Sequence, residues 1–211
     1  MVRSDAVLSG AALALVGLVG ACTPRHAETA SAGEVQSAPG TSLDQMLSGW
    51  PAKPREVATA MTRKYGPPAE QTASMLVWHN TGPWKHTILY REEVPHSFPK
   101  PHTDLLEQFI DYRVPVDLFD ELAAYDGSVI VERTKGELSA RCDKEEMNFL
   151  ALNLANDIVS RRRRVQQARE EYARQAMAFM NRQPAPYTEG LKFTVPSGGT
   201  RDPDAPVTPG M

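Results

Sequence analysis

Ser74-Met75-Leu76-Val77-Trp78-His79-Asn80-Thr81-Gly82-Pro83-Trp84-Lys85-His86-Thr87-Ile88-Leu89-Tyr90-Arg91 is the stretch whose reading sets the fold class. Two runs rich in aliphatic and aromatic residues flank Asn80-Thr81-Gly82-Pro83, and that quartet has the composition of a chain reversal. The reading is a β-hairpin, with strands over 74–79 and 85–91. On its N-terminal side, Val57, Met61 and Tyr65 recur every four residues behind Pro54, which predicts an amphipathic helix. Gly66-Pro67-Pro68 stops that helix, the glycine as a left-handed cap and the prolines as breakers. The folded part therefore begins near Leu43 or Trp50.

On the C-terminal side, residues 94–101 hold three prolines and read as a loop. Residues 105–112 fit a helix or a strand equally well. Leu118, Leu122 and Tyr125 share one helical face over 117–125. Asp126-Gly127 is a turn, Val129-Ile130-Val131 starts a strand, and Thr134-Lys135-Gly136 sends it back into 137–142. There Leu138, Ala140 and Cys142 alternate on one side. A helix over 144–160 follows, with Met147, Leu150, Leu154 and Ile158 as its apolar stripe. Asp143 is its expected cap, and Glu146 the residue closing a capping box. A second helical stretch covers 165–180.

From Gln183 onward prolines alternate with glycines, so the tail is read as disordered or extended, with 191–195 able to dock as a short strand. The fold class is α+β: small antiparallel hairpins packed with amphipathic helices in one domain over 42–182, with a tail over 183–211.

The amino terminus carries an address. Met1-Val2-Arg3 is a short basic start, and residues 6–21 are small and apolar but fewer than the about 20 that a spanning helix needs. The run ends in Leu18-Val19-Gly20-Ala21-Cys22, which resembles the lipobox of bacterial lipoproteins. That resemblance implies a signal peptide over 1–21 and lipid attachment at Cys22, the first mature residue. It also implies that Thr23, in place of an aspartate, favours the outer membrane over the inner one. More than one acyl chain anchors a protein stably, so the chain is expected to lie on a membrane without crossing it. Residues 22–41 are rich in Ala, Ser, Gly and Pro and cannot bury enough surface to fold. As a flexible tether they set the domain about 20–25 Å from the bilayer.

The helix, Gly-Pro stop and hairpin over 54–91 resemble the small lipoprotein domains of the outer-membrane assembly (BamE-like) group. The 211 residues carry a formal charge of −3 and two cysteines. Such a balance makes no electrostatic case for nucleic acid, and two cysteines exclude a disulfide scaffold or a Cys-rich zinc cluster.

Four histidines raise a metal question. His79 and His86 flank the hairpin turn, and His96 and His102 lie in and beside the proline-rich loop. Neutral imidazole suits zinc and copper, although the spacing matches no zinc signature. Trp78 and Trp84 would bind cell-wall glycan if both rings were exposed on one face, and are core residues otherwise. Cys142 alternates with apolar neighbours and reads as a buried free thiol rather than a nucleophile. Asn148, Asn153 and Asn156 are poor helix formers inside a strong helix, so they bond backbone in the core or line a groove.

Arg161 to Arg164 read as a solvated helix junction, with the acid-rich segment 91–143 as an available partner. GxSxG, P-loop and dinucleotide-glycine motifs are absent. The expectation is a non-enzymatic, lipid-anchored envelope protein facing the periplasm, without a cofactor, whose partners are the membrane and another envelope protein. The alternative is a metal-binding or enzymatic protein built on His79, His86, His96 and His102.

Overall fold

Residues 102–111, whose pattern left helix and strand open, form the strand that joins two hairpins into one sheet. The structure, a computed structural model, describes residues 42–208. The signal peptide, Cys22 and the tether lie outside the described residues.

The described residues begin with α1 (Leu43–Ser48), started by a capping box between Ser42 and Gln45. Helix α2 (Ala52–Tyr65) buries Pro54, Val57, Ala58 and Met61, and Gly66 ends it at φ +84°. The carbonyl of Gly66 accepts a bond from the Trp78 indole at 2.9 Å, which ties the helix stop to the hairpin. The strands are β1 (Glu70–Gln71), β2 (Met75–Thr81), β3 (Trp84–His96), β4 (His102–Asp111), β5 (Val129–Glu132) and β6 (Glu137–Cys142). They make one antiparallel sheet in the order β1-β2-β3-β4-β6-β5. Helix α3 (Phe119–Tyr125) precedes β5, and α4 (Glu145–Val159) and α5 (Val165–Met180) follow β6. The α+β class is therefore as read from the sequence, and the sheet is larger than separate hairpins.

Pairing fixes which residues share a face, because side chains alternate along a strand. Trp78 lies opposite Thr87, Leu89 opposite Leu106, Leu106 opposite Cys142, and Ala140 opposite Val129. These residues are buried, and the helices cover them in two clusters. Trp50, Val57 and Met61 pack on Leu76, Trp78, Leu89 and Leu106. Phe149, Leu150, Leu154 and Tyr172 pack with Ile110, Leu138 and Ala140. The other face holds Val77, Ile88 and Phe109, each half-buried, and Ile130, which is 49% exposed.

The structure corrects several readings. The loop expected over 94–101 is shorter, since β3 runs on to His96 and Pro95 pairs with Thr103. An irregularity between Leu89 and Val94 shifts the register, and such bulges accommodate a strand proline. The Asp143–Glu146 capping box does not form. Lys144 is the cap, Asp143 pairs with Lys53 and Lys144, and Glu145 is buried.

Of the two readings of the C-terminal tail, disordered or extended, the second describes residues 183–208 apart from a 3-10 turn at Pro186–Thr188, and 191–195 docks without forming a strand. Leu191, Phe193 and Val195 pack on the core, and Arg133 pairs with Asp202 and Asp204. Gly136, at φ +68°, leaves room for the Thr200 backbone, which a Cβ would meet at 2.2 Å.

The asparagines of α4 bond within the body. Asn148 donates to the Leu106 carbonyl at 3.0 Å, and Asn156 accepts from the Tyr112 hydroxyl at 2.7 Å. Arg162 and Arg163, just past the end of α4, fold back on Asp157 in its last turn, not on the acidic segment. Arg161 does reach Asp117 there, but both side chains are more than 65% exposed (66% and 69%). Exposed pairs contribute little. Substituting Arg161→Glu with Arg164→Glu is expected to change stability by no more than about 0.5 kcal/mol. A urea titration checks this, and a large drop in midpoint would show that the junction holds the body together.

Candidate functional site

His96 ends β3 and His102 begins β4, and the two are direct cross-strand partners. Their ring centroids are 5.1 Å apart. Asp104 stands two residues after His102, so the strand period places both on the same, helix-covered face. The Asp104 side chain is 1% exposed, against 21% for His96 and 13% for His102. His96 Nδ1 lies 3.1 Å from Asp104 Oδ2, and His102 Nε2 lies 3.0 Å from Asp104 Oδ1. The distances suit ion pairs, but the angles make neither contact a hydrogen bond. His96 Nδ1 and Asp104 Oδ1 are buried with no hydrogen-bond partner. Leaving such atoms unpaired costs about 1–3 kcal/mol each, so the cluster calls for a physical reason.

A second layer aims these side chains. His102 Nδ1 donates to the Lys100 carbonyl at 2.9 Å, which turns Nε2 toward Asp104. His96 Nε2 faces the buried Asp126 carboxylate at 3.8 Å, which leaves Nδ1 on the Asp104 side. The Ser128 hydroxyl donates to Asp104 Oδ2, and the Ser128 amide donates to Asp126 at 2.9 Å. Asp126 and Ser128 come from the turn between α3 and β5. Phe98, in the turn between the two histidines, packs against Tyr125 and Tyr172 beneath the Arg169 guanidinium, 3.8 Å from its ring centre.

The Cys142 sulfur lies 3.4 Å from His102 Nε2. Burial pushes its thiol above the ordinary range, against the pull of His102. The Asp104 carboxylate, then Cys142, raise the His102 imidazolium to about 11. Desolvation raises the Asp126 carboxyl. A thiol held protonated is a poor nucleophile, and Asp104 contacts the same imidazole nitrogen that would have to serve as its base. The arrangement therefore lacks the geometry of a Cys–His–Asp triad and has that of a ligand set. A cleft of about 290 Å³, bordered by His102, Cys142, Met147, Tyr172 and Phe179, opens onto it.

The four histidines do not meet at one point. His79 and His86 form their own cross-strand pair on the open sheet face, with ring centroids 6.5 Å apart. His79 contacts Glu70 at 2.6 Å, and His86 stacks on Phe109 at 4.0 Å. Trp78 and Trp84 are each 1% exposed, so the exposed aromatic face that glycan binding needs is not formed by them. Reading the sequence singled out His96, His102 and Cys142 but missed Asp104, Asp126 and Ser128. The His102-x-Asp104 alternation is the signal that would have found Asp104, once 102–111 is known to be a strand. Comparison with family models, curated proteins and solved structures found no match for the chain.

Proposed function

We propose that the protein is an envelope lipoprotein, held on the outer membrane through Cys22, whose body binds another envelope protein without catalysing a reaction. The observation that carries the partner reading is, among the described residues, the sheet face opposite the one on which α4 and α5 pack. There Val77, Ile88, Phe109 and Ile130 sit among His79, His86 and Tyr90. A mixed apolar and polar surface of this kind resembles an interface more than ordinary surface. Beneath it, Tyr90, Glu107 and Ser139 form a hydrogen-bonded row that stiffens the strands, with contacts of 3.0 and 2.7 Å. Burial followed by Glu107 raises the Tyr90 hydroxyl to about 12, which keeps it a donor. The lipobox-like Leu18–Cys22 and the tether-like composition of 22–41 support anchoring. The body starts at the Ser42 capping box, next to the end of that segment.

The anchoring half of the proposal predicts that Cys22→Ser moves the protein from the membrane fraction to the soluble one. A variant that stays with the membrane would overturn it. For the partner half, a photo-crosslinking residue at position 88 is expected to capture one reproducible envelope protein. The same probe at Glu170 on α5 should capture none. Equal labelling from both positions would remove the sheet face from consideration.

A further inference from the structure

We infer that His96, His102 and Asp104 bind a divalent metal ion of the zinc class, with Cys142 beside the fourth coordination position. This goes beyond the partner-binding reading and does not depend on it.

One ligand atom from each of the three residues lies within 4.8 Å of the other two. An ion held at about 2.0–2.1 Å in a tetrahedron sets nitrogen and oxygen ligands about 3.3 Å apart. The observed contacts, 3.1 Å from His96 to Asp104 Oδ2 and 3.0 Å from His102 to Asp104 Oδ1, are close to that edge, one on each carboxylate oxygen. A thiolate at about 2.3 Å lengthens the edge to about 3.5 Å, against 3.4 Å from Cys142 to His102. The orphaned atoms explain themselves in the same way. His96 Nδ1 and Asp104 Oδ1 are buried without hydrogen-bond partners, which leaves a lone pair on each for an ion.

The outer contacts fit too. Imidazole ligands hold their second nitrogen on a carbonyl or carboxylate, which fixes the tautomer and the ring plane. Here Lys100 supplies the carbonyl for His102, and Asp126 faces the far nitrogen of His96. Two imidazoles, one carboxylate and a nearby sulfur favour zinc over the hard cations magnesium and calcium. The cleft at His102 and Cys142 gives the ion a way in.

The test uses the untagged full chain in detergent, carrying Cys22→Ser so that Cys142 is the only thiol. Zinc titration followed by calorimetry is expected to show one site per chain. His96→Gln and Asp104→Asn should each weaken it by about 100-fold or more, and Asp126→Asn by about 10–100-fold, as outer-shell losses do. A chain with both His79→Asn and His86→Asn should bind as the parent does. Cobalt(II) keeps the readout independent of variant folding. The parent chain should give visible bands of tetrahedral intensity, with a thiolate charge-transfer band that Cys142→Ser removes. No stoichiometric binding by the parent chain at tens of micromolar zinc would overturn the inference. So would unchanged affinity in His96→Gln, or binding that depends on His79 and His86. Any of those outcomes would leave the cluster as a plain imidazole–carboxylate ion pair.

Discussion

Replacing Glu145 with alanine is expected to destabilise the fold by about 3 kcal/mol, which lowers Tm by roughly 6–12 °C for a body of this size. Glu145 opens α4 and is 6% exposed, yet it faces the sheet rather than water. Its Oε1 accepts from the Trp84 indole and the Tyr65 hydroxyl at 2.6 Å each, and from the Gln108 amide at 3.3 Å. Its Oε2 meets the Lys64 ammonium. Alanine would leave the Trp84 indole buried without an acceptor, at about 1–3 kcal/mol, take an acceptor from Tyr65, and leave the Gln108 amide only Thr87 at 3.4 Å. The exposed Lys64 adds little, because water screens it.

The same contacts give a pH dependence. Burial pushes the Glu145 carboxyl up, but the donors from Lys64, Tyr65 and Trp84 outweigh it and hold the group below its ordinary 4.5. A depressed carboxyl stabilises the fold above pH 4.5, and that contribution is lost as pH falls through the lower, folded value. Wild-type stability is therefore expected to fall off in acid below pH 4.5, and Glu145→Gln to flatten that limb. Chemical denaturation at pH 7, 5, 4 and 3 measures both slopes. Identical slopes for the two proteins would mean that the carboxylate is not bound to its donors.

Glu145 also shows where the sequence could be read and where it could not. The apolar stripe Met147, Leu150, Leu154 and Ile158 repeats at helical spacing, so α4 was legible to within a residue at each end. What the stripe could not show is that α4 is buried nearly all round, with Asn148, Asn153 and Asp157 inside. A capping-box pattern gave Asp143 and Glu146 a local purpose, and tertiary contacts overrode it by drawing Glu145 to Trp84.

Residues 105–112 were illegible for a related reason. A strand paired on both sides with residues buried on both of its faces shows no clean alternation, and Asp104 to Gln108 are all buried. Because that strand was uncertain, the geometry it imposes was invisible, including His102 and Asp104 on one face. The histidine pair His96 and His102 could be named but not joined. The hairpin 74–91 was readable because its turn chemistry is local, with Asn80 at φ +51° and Gly82 at φ +58°.

The C-terminal segment is where composition left two readings open, and a single side chain tests the docked one. Asn153 is 1% exposed in the middle of α4, where an asparagine is a poor helix former. Its amide donates to the carbonyls of Tyr187 at 2.9 Å and Gly190 at 2.8 Å, and its oxygen accepts from the Lys192 amide at 2.7 Å. Three backbone groups of a proline-rich segment thus find in one side chain the partners that a β-ladder would otherwise supply. Gln175 adds a fourth contact by accepting from the Tyr187 amide at 2.9 Å. Asn153→Ala is expected to cost about 2–4 kcal/mol, since three backbone groups lose their partner at once. If it leaves, the loss takes the form of local release, with residues 183–208 opening while the sheet stays folded. Limited proteolysis should then cut the variant near residue 190 at a protease level that spares the parent. Equal resistance of the two proteins would show that Leu191, Phe193 and Val195 hold the segment by apolar contact alone.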